Sequence, residues 1–191
     1  MRRLRPHRAG IRRLASAVLA AGVSLASCRD KPAEERPAYE RIMSFDTATV
    51  LLLSGYETTR VVSQLAVSPQ QKSMGLMERL ELAADHGMVF VYDSAQGATA
   101  GFWMYRTRIP LDIGFYDASG VLRAIRAMVP CPTTLPEGCP VYQPGVPYQY
   151  ALEVNPGFFA RHHLEVGSRL VLGDIVTGVG SASSSRAPAP R

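Results

Sequence analysis

The chain predicts a β-rich α+β domain: a compact closed or strongly curved, barrel-like sheet with two short helices. Three observations carry this. Short branched and aromatic runs outnumber helical patterns, which favours a strand-built domain. Turn chemistry such as Asp117-Ala118-Ser119-Gly120 separates them. The stretch 101–116 (GFWMYRTRIPLDIGFY) is the densest aromatic and branched segment, and it holds Trp103, the only tryptophan. It also sets polar groups in an apolar setting, where each needs a partner, so it is the expected core of the fold and the wall of any site. Strands in a domain of this size must close or cover their edges, which suggests the barrel.

Residues 48–53 (ATVLLL) and 60–67 (RVVSQLAV) read as strands. At Ser68-Pro69-Gln70-Gln71 a helix starts: Ser68 caps, Pro69 suits the first helical position and Gln71 can reach back in a capping box. This helix is expected to run to about Glu78, with Met74 and Met77 on one face. Gly75 weakens it by about 1 kcal/mol relative to Ala and so marks a close packing contact. Residues 88–92 (MVFVY) form a buried strand. After a turn at 93–98, residues 99–105 are expected to pair back on it as a hairpin. Residues 113–116 and 121–129 are strands, the second with Arg123 and Arg126 facing water. A loop with six prolines covers 130–147. A strand at 150–154, a short helix at 157–163 opened by Asn155-Pro156, and a strand at 169–176 complete the domain.

Charge divides the chain. Of 21 Lys and Arg, six are arginines within residues 1–27, which hold no acid; the remaining 15 face 16 Asp and Glu, a net charge of −1. The body therefore offers no basic field, and nucleic acid is not an expected partner. The basic start, the short apolar run and Leu25-Ala26-Ser27-Cys28 read as an export signal, too short in its apolar part to span a bilayer. The last four residues resemble the lipobox of bacterial lipoproteins, which implies lipid on Cys28 and cleavage before it. The expected organisation is a signal peptide (1–27), a flexible tether (28–45), one globular domain (46–177) and a disordered tail rich in Ser, Ala and Pro (178–191). The expected location is the bacterial cell envelope, with the membrane as a partner through the lipid.

Gly75-Leu76-Met77 with Arg79, Gly87-Met88 with Phe90, Phe102-Trp103-Met104 with Thr107, Ile109-Pro110-Leu111-Asp112, and Leu152-Glu153-Val154 with Gly157 occur in a fixed order. Together they resemble the family numbered 192 among the domains of unknown function, small bacterial and archaeal proteins that are often exported. The resemblance spans about residues 60–176 and implies a compact β-rich fold with short helices. It brings no established activity. This chain has Tyr105-Arg106 where the family usually has Lys-Asn.

Cys131 and Cys139 lie in PCPTTLPEGCP within an exported domain, and with Cys28 assigned to lipid they most simply pair. Asp112 and Glu153 sit in apolar sequence and need partners, for which Arg79, Arg106 and Arg108 are candidates. A catalytic pair of carboxylates and structural Arg–carboxylate bridges are the two readings, and the bridges are preferred. No nucleophilic triad, phosphate loop or dinucleotide fingerprint is present. Met74, Met77, Met88, Met104 and His86 could suit Cu(I), although methionines also fill core gaps. His162-His163 reads as a solvated pair.

The leading expectation is a non-catalytic envelope lipoprotein, with no cofactor. Trp103, Tyr105, Arg106, Arg108, Asp112 and Glu153 would form a cleft for a small polar ligand or an envelope protein. The alternatives are a hydrolase using Asp112 and Glu153, and a Met/His copper-binding protein.

Overall fold

The computed structural model of the protein describes residues 43–55 and 57–176. Cys28, the signal peptide, most of the expected tether and the C-terminal tail lie outside the described residues.

The strands are β1 (Asp46–Ser54), β2 (Glu57–Ala66), β3 (His86–Gln96), β4 (Phe102–Trp103), β5 (Leu111–Tyr116), β6 (Leu122–Met128), β7 (Val141–Tyr142), β8 (Tyr148–Val154) and β9 (Arg169–Val176). Two short helices, α1 (Pro69–Met74) and α2 (Phe158–Arg161), accompany them. Seven strands form one mixed sheet in the order β6-β5-β8-β3-β2-β1-β9, and β4 and β7 form a separate two-stranded ribbon. All pairs in the large sheet are antiparallel except β2–β3. A parallel pair needs a crossover rather than a tight turn, and the segment carrying α1 supplies it.

The barrel expectation is corrected here. The ladder has two ends, β6 and β9, which are joined at the isolated bridge Val121↔Arg169 and by backbone hydrogen bonds of Gly120 and Leu122 with residues 167–170, not along a strand ladder. A barrel has one interior, whereas this sheet carries a hydrophobic cluster on each face. Alternation along each strand divides the side chains: Val89, Leu152 and Val154 pack with Phe158 and Phe159 near α2. Met88, Phe90, Ile113 and Phe115 pack with Leu76 and Met104 on the other side. Both faces are thus covered by other segments, which removes the need to close the sheet on itself. β5 shows the result, since all six of its residues are buried. Phe45 joins the second cluster and Met43 packs against it, so the end of the expected tether belongs to the fold.

Local chemistry explains α1. Gln71 N–H donates to Ser68 Oγ at 3.2 Å, and Ser68 N–H donates to Gln71 Oε1 at 2.9 Å, which closes the capping box. The helix stops at Met74 rather than near Glu78 because Gly75 takes a left-handed φ of 49°. A Cβ on Gly75 would stand 3.3 Å from Phe90 Cζ, the close contact anticipated there.

The hairpin expected over residues 99–105 does not form. β3 is flanked by β8 and, along His86–Phe90, by β2, and β4 pairs with β7 in a separate ribbon instead. Cys131 and Cys139 form a disulfide with an S–S distance of 2.09 Å, closing a sequence separation of eight. Replacing both by Ser is expected to lower unfolding stability by about 2.5 kcal/mol through loop-closure entropy, read from urea unfolding as a lower extrapolated stability and midpoint. An unchanged midpoint would show that this loop is already ordered in the unfolded chain.

Candidate functional site

The site is built from the turn after α1 and from residues 102–108. Strand alternation along β4 sets its first feature. Phe102 turns inward, edge-on to Phe90 with ring centroids 4.8 Å apart, and Met104 is buried; Trp103 between them points out and is 43% exposed. The expectation that Trp103 belongs to the core is therefore corrected. Its strand is part of the outer ribbon, where alternate residues face solvent, whereas Ile113 in the main sheet is fully buried.

Trp103 and Tyr105 lie with ring centroids 5.4 Å apart. Together with Pro69, Ser73, Met74 and Met77 they line a hollow of about 520 Å³. Tyr105 also borders a second hollow of about 480 Å³, which holds Glu78, Arg106, Arg108, Thr133 and Thr134 beside Cys131. One end of this surface is thus apolar and aromatic, and the other carries arginines.

Glu78 organises the arginine end. Its carboxylate accepts from Arg106 Nε at 2.7 Å and from Arg108 Nε at 2.6 Å. The Arg106 hydrogen bond, then that from Arg108, holds this carboxyl below its ordinary range. Glu78 N–H also donates to the Arg106 carbonyl at 2.8 Å. Both residues take left-handed backbone, φ 61° at Glu78 and 55° at Arg106, a cost of about 1–3 kcal/mol each that only a well-determined setting sustains. Two guanidinium groups share one carboxylate, so this end keeps a net positive charge and unused N–H donors. Sequence reasoning missed Glu78; its only signal was its place between Met77 and Arg79 in the motif.

Asp112 and Glu153 do not come together. Ile113 pairs with Glu153 and Asp112 with Val154. Paired residues share a face and neighbours along a strand alternate, so the two carboxyl groups lie on opposite sides of the sheet. Asp112 Oδ2 accepts the Gly157 N–H at 2.8 Å and helps hold the turn into α2. Among the described residues no arginine bridge to Asp112 forms, which corrects that expectation, and Asp112 does not line either hollow. The paired-carboxylate hydrolase loses its geometry.

Glu153 does approach the groove, from behind. It is 4% exposed, and no described residue donates a hydrogen bond to its carboxyl. Burial pushes that carboxyl up to about 8, and the charge of Arg79 offsets part of the effect. Arg79 itself donates through Nη2 to Gln64 Oε1. The Glu153 side chain borders a cavity of about 30 Å³, walled also by Phe90, Phe102 and Thr107. Ser73, Met74, Met77 and Trp103 line both this cavity and the larger hollow.

The copper grouping finds no histidine partner among its methionines: Met74, Met88 and Met104 pack in one hydrophobic cluster, and His86 is engaged with Asp85. His86 Nδ1 is 2.8 Å from Asp85 Oδ1, and Met88 and Met104 are core residues. That leaves Met74 and Met77 as groove lining. Among the described residues no group of three or more His, Cys, Asp or Glu could hold a metal ion. His162 is not simply solvated, since its ring packs 4.4 Å from that of Phe158.

Residues 51–172 match the model of a family described as DUF192, Uncharacterized ACR. Among solved structures, the chain resembles that of a candidate transcription regulator from Sinorhizobium meliloti 1021. The identity is 31% and the TM-score 0.61, over 68% of this chain and 96% of that one. It also resembles a protein of unknown function from Novosphingobium aromaticivorans DSM 12444, at 27% identity and TM-score 0.59, over 76% of this chain and 99% of that one. No curated protein matches.

Proposed function

The chain belongs to the DUF192 family, and from that premise we propose that it is a non-catalytic binding domain for a small amphipathic ligand. The ligand's ring or apolar body lies on Trp103, Tyr105, Met74 and Met77, and an anionic or hydrogen-bond-accepting end reaches Arg106 and Arg108. The observation that carries this reading is the 43% exposure of Trp103 over an apolar hollow that shares Tyr105 with a neighbouring cationic one. Concave apolar surface with a few convergent polar groups is the usual form of a ligand site, and guanidinium groups suit carboxylate-like partners. The domain works outside the cytoplasm, held in the cell envelope by lipid on Cys28. The Cys131–Cys139 disulfide supports that address, because such bonds persist in oxidising compartments. The reading has no place for nucleic acid. Beyond residue 27 acids outnumber bases, so the body carries no extended basic field.

Anilinonaphthalene sulfonate tests the reading, as it carries a flat body and one anionic group. It is expected to bind the native domain and accept energy from Trp103. Met77→Glu should weaken binding about 10-fold or more, as for a central contact residue. Arg108→Ala should weaken the sulfonate but not the uncharged anilinonaphthalene. Equal binding of both dyes to all three proteins would remove the groove as the site.

A further inference from the structure

We propose that Glu153 determines which ligands the groove accepts: a single hydroxyl group of the ligand passes between Met74, Met77 and Trp103 into the small cavity and hydrogen-bonds with the Glu153 side chain. This rests on the groove reading above and names the chemistry of one further contact.

Four observations lead there. Glu153 is 96% removed from solvent by its 4% exposure, yet no described residue donates a hydrogen bond to it. A buried polar side chain without such a partner is uncommon and calls for one. The carboxyl borders a cavity whose walls Ser73, Met74, Met77 and Trp103 also form walls of the proposed ligand groove. At about 30 Å³ the cavity is small and has room for a water-sized polar group.

The charges around the cavity select among groups of that size. Arg79 acts on Glu153 electrostatically, and Lys72 also borders the cavity, with its ammonium 4.5 Å from the centre of the Tyr92 ring. Two cations disfavour a third, so an ammonium is a poor guest. Burial keeps the carboxyl neutral at pH 7, since its titration is pushed up to about 8. A neutral carboxylic acid offers one O–H donor and a carbonyl acceptor. A hydroxyl offers the same pair in reverse and satisfies both. Thr107, itself buried, lines the same cavity.

Four probes with one ring body separate the possibilities: benzyl alcohol, toluene, benzylamine and benzoate. Trp103 emission reports occupation of the groove, and the Glu153 carboxyl carbon resonance reports occupation of the cavity. Benzyl alcohol is expected to bind about 2- to 10-fold more tightly than toluene, the ratio one net hydrogen bond provides, and to move the Glu153 resonance, which toluene leaves in place. Glu153→Gln should keep the preference, because an amide also donates and accepts. Glu153→Leu should lose it. If Glu153→Leu does not fold, the wild-type resonance and the Gln variant still decide. Equal binding of benzyl alcohol and toluene, with the Glu153 resonance unmoved while Trp103 responds, overturns this inference and leaves the groove reading standing. A preference for benzylamine or benzoate also overturns it. Failure of all four to perturb Trp103 brings down the groove reading and this inference with it.

Discussion

Between about pH 5 and pH 8 the domain is expected to become less stable as pH rises, and Glu153→Gln is expected to remove most of that slope. In the folded protein burial raises the Glu153 carboxyl to about 8, against an ordinary value of 4.5 once the chain unfolds. Within that window the folded state holds a proton that the unfolded state has released. The stabilisation is therefore complete below about 4.5, shrinks as pH climbs to about 8, and stays flat above it. Its ceiling is on the order of 4 kcal/mol, less whatever water in the cavity screens. Three other shifted carboxyls, Glu78, Asp85 and Asp117, run the other way and do not mask the effect; the His86 hydrogen bond holds Asp85 low. Glu78 is held low by Arg106 and Arg108, so its contribution is lost only on acidification. At Asp117, burial alone would raise the carboxyl. It is outweighed by hydrogen bonds from the Val121 N–H, Ser119 and Arg123, which bring it down to about 2. Urea midpoints of the two proteins across this range provide the check. A flat wild-type profile would mean that Glu153 is solvated in the folded state.

Gly114→Ala and Phe159→Ala are each expected to be costly alone, and together to cost less than their sum. Gly114 sits mid-strand in β5, where an added Cβ would stand 2.7 Å from Phe159 Cζ, 2.9 Å from Cε1 and 3.1 Å from Leu122 Cδ1. The packed ring cannot yield without moving α2, so the alanine variant should lose about 1–3 kcal/mol by overpacking. Phe159 is 2% exposed, and truncating it leaves a cavity worth about 3–5 kcal/mol. In the double variant the new methyl occupies part of that cavity and no longer meets the ring. A coupling of about 1 kcal/mol or more should appear in a double-mutant cycle of urea midpoints. Strict additivity would show that the ring and the glycine are not in contact.

Features set by near neighbours were legible in the sequence. The Ser68–Gln71 capping box and most strand positions follow from local chemistry, and Cys131 and Cys139 pair as expected. Features set by register were not. Asp112 and Glu153 look like a pair along the chain, but the pairing Ile113↔Glu153 puts them on opposite faces, and a shift of one residue would have reversed that. Trp103 reads as core because it is large and apolar; which strand it pairs with decides otherwise, and that depends on Val141 thirty-eight residues away. Whether the sheet closes depends on what covers its faces, which the α2 and ribbon segments decide together. Glu78 was invisible because its role needs left-handed backbone at two distant residues. Of the six residues expected to form the cleft, Trp103, Tyr105, Arg106 and Arg108 line the groove, Glu153 lies behind it and Asp112 belongs elsewhere.

The groove beneath Trp103 can be tested by following amide and indole resonances of the labelled domain as anilinonaphthalene sulfonate is added. The account predicts saturable shifts centred on the Trp103 indole, Ser73, Met77, Tyr105 and Arg106. Shifts centred instead on the exposed Val171 and Ile175 of β9, or shifts that never saturate, would contradict it.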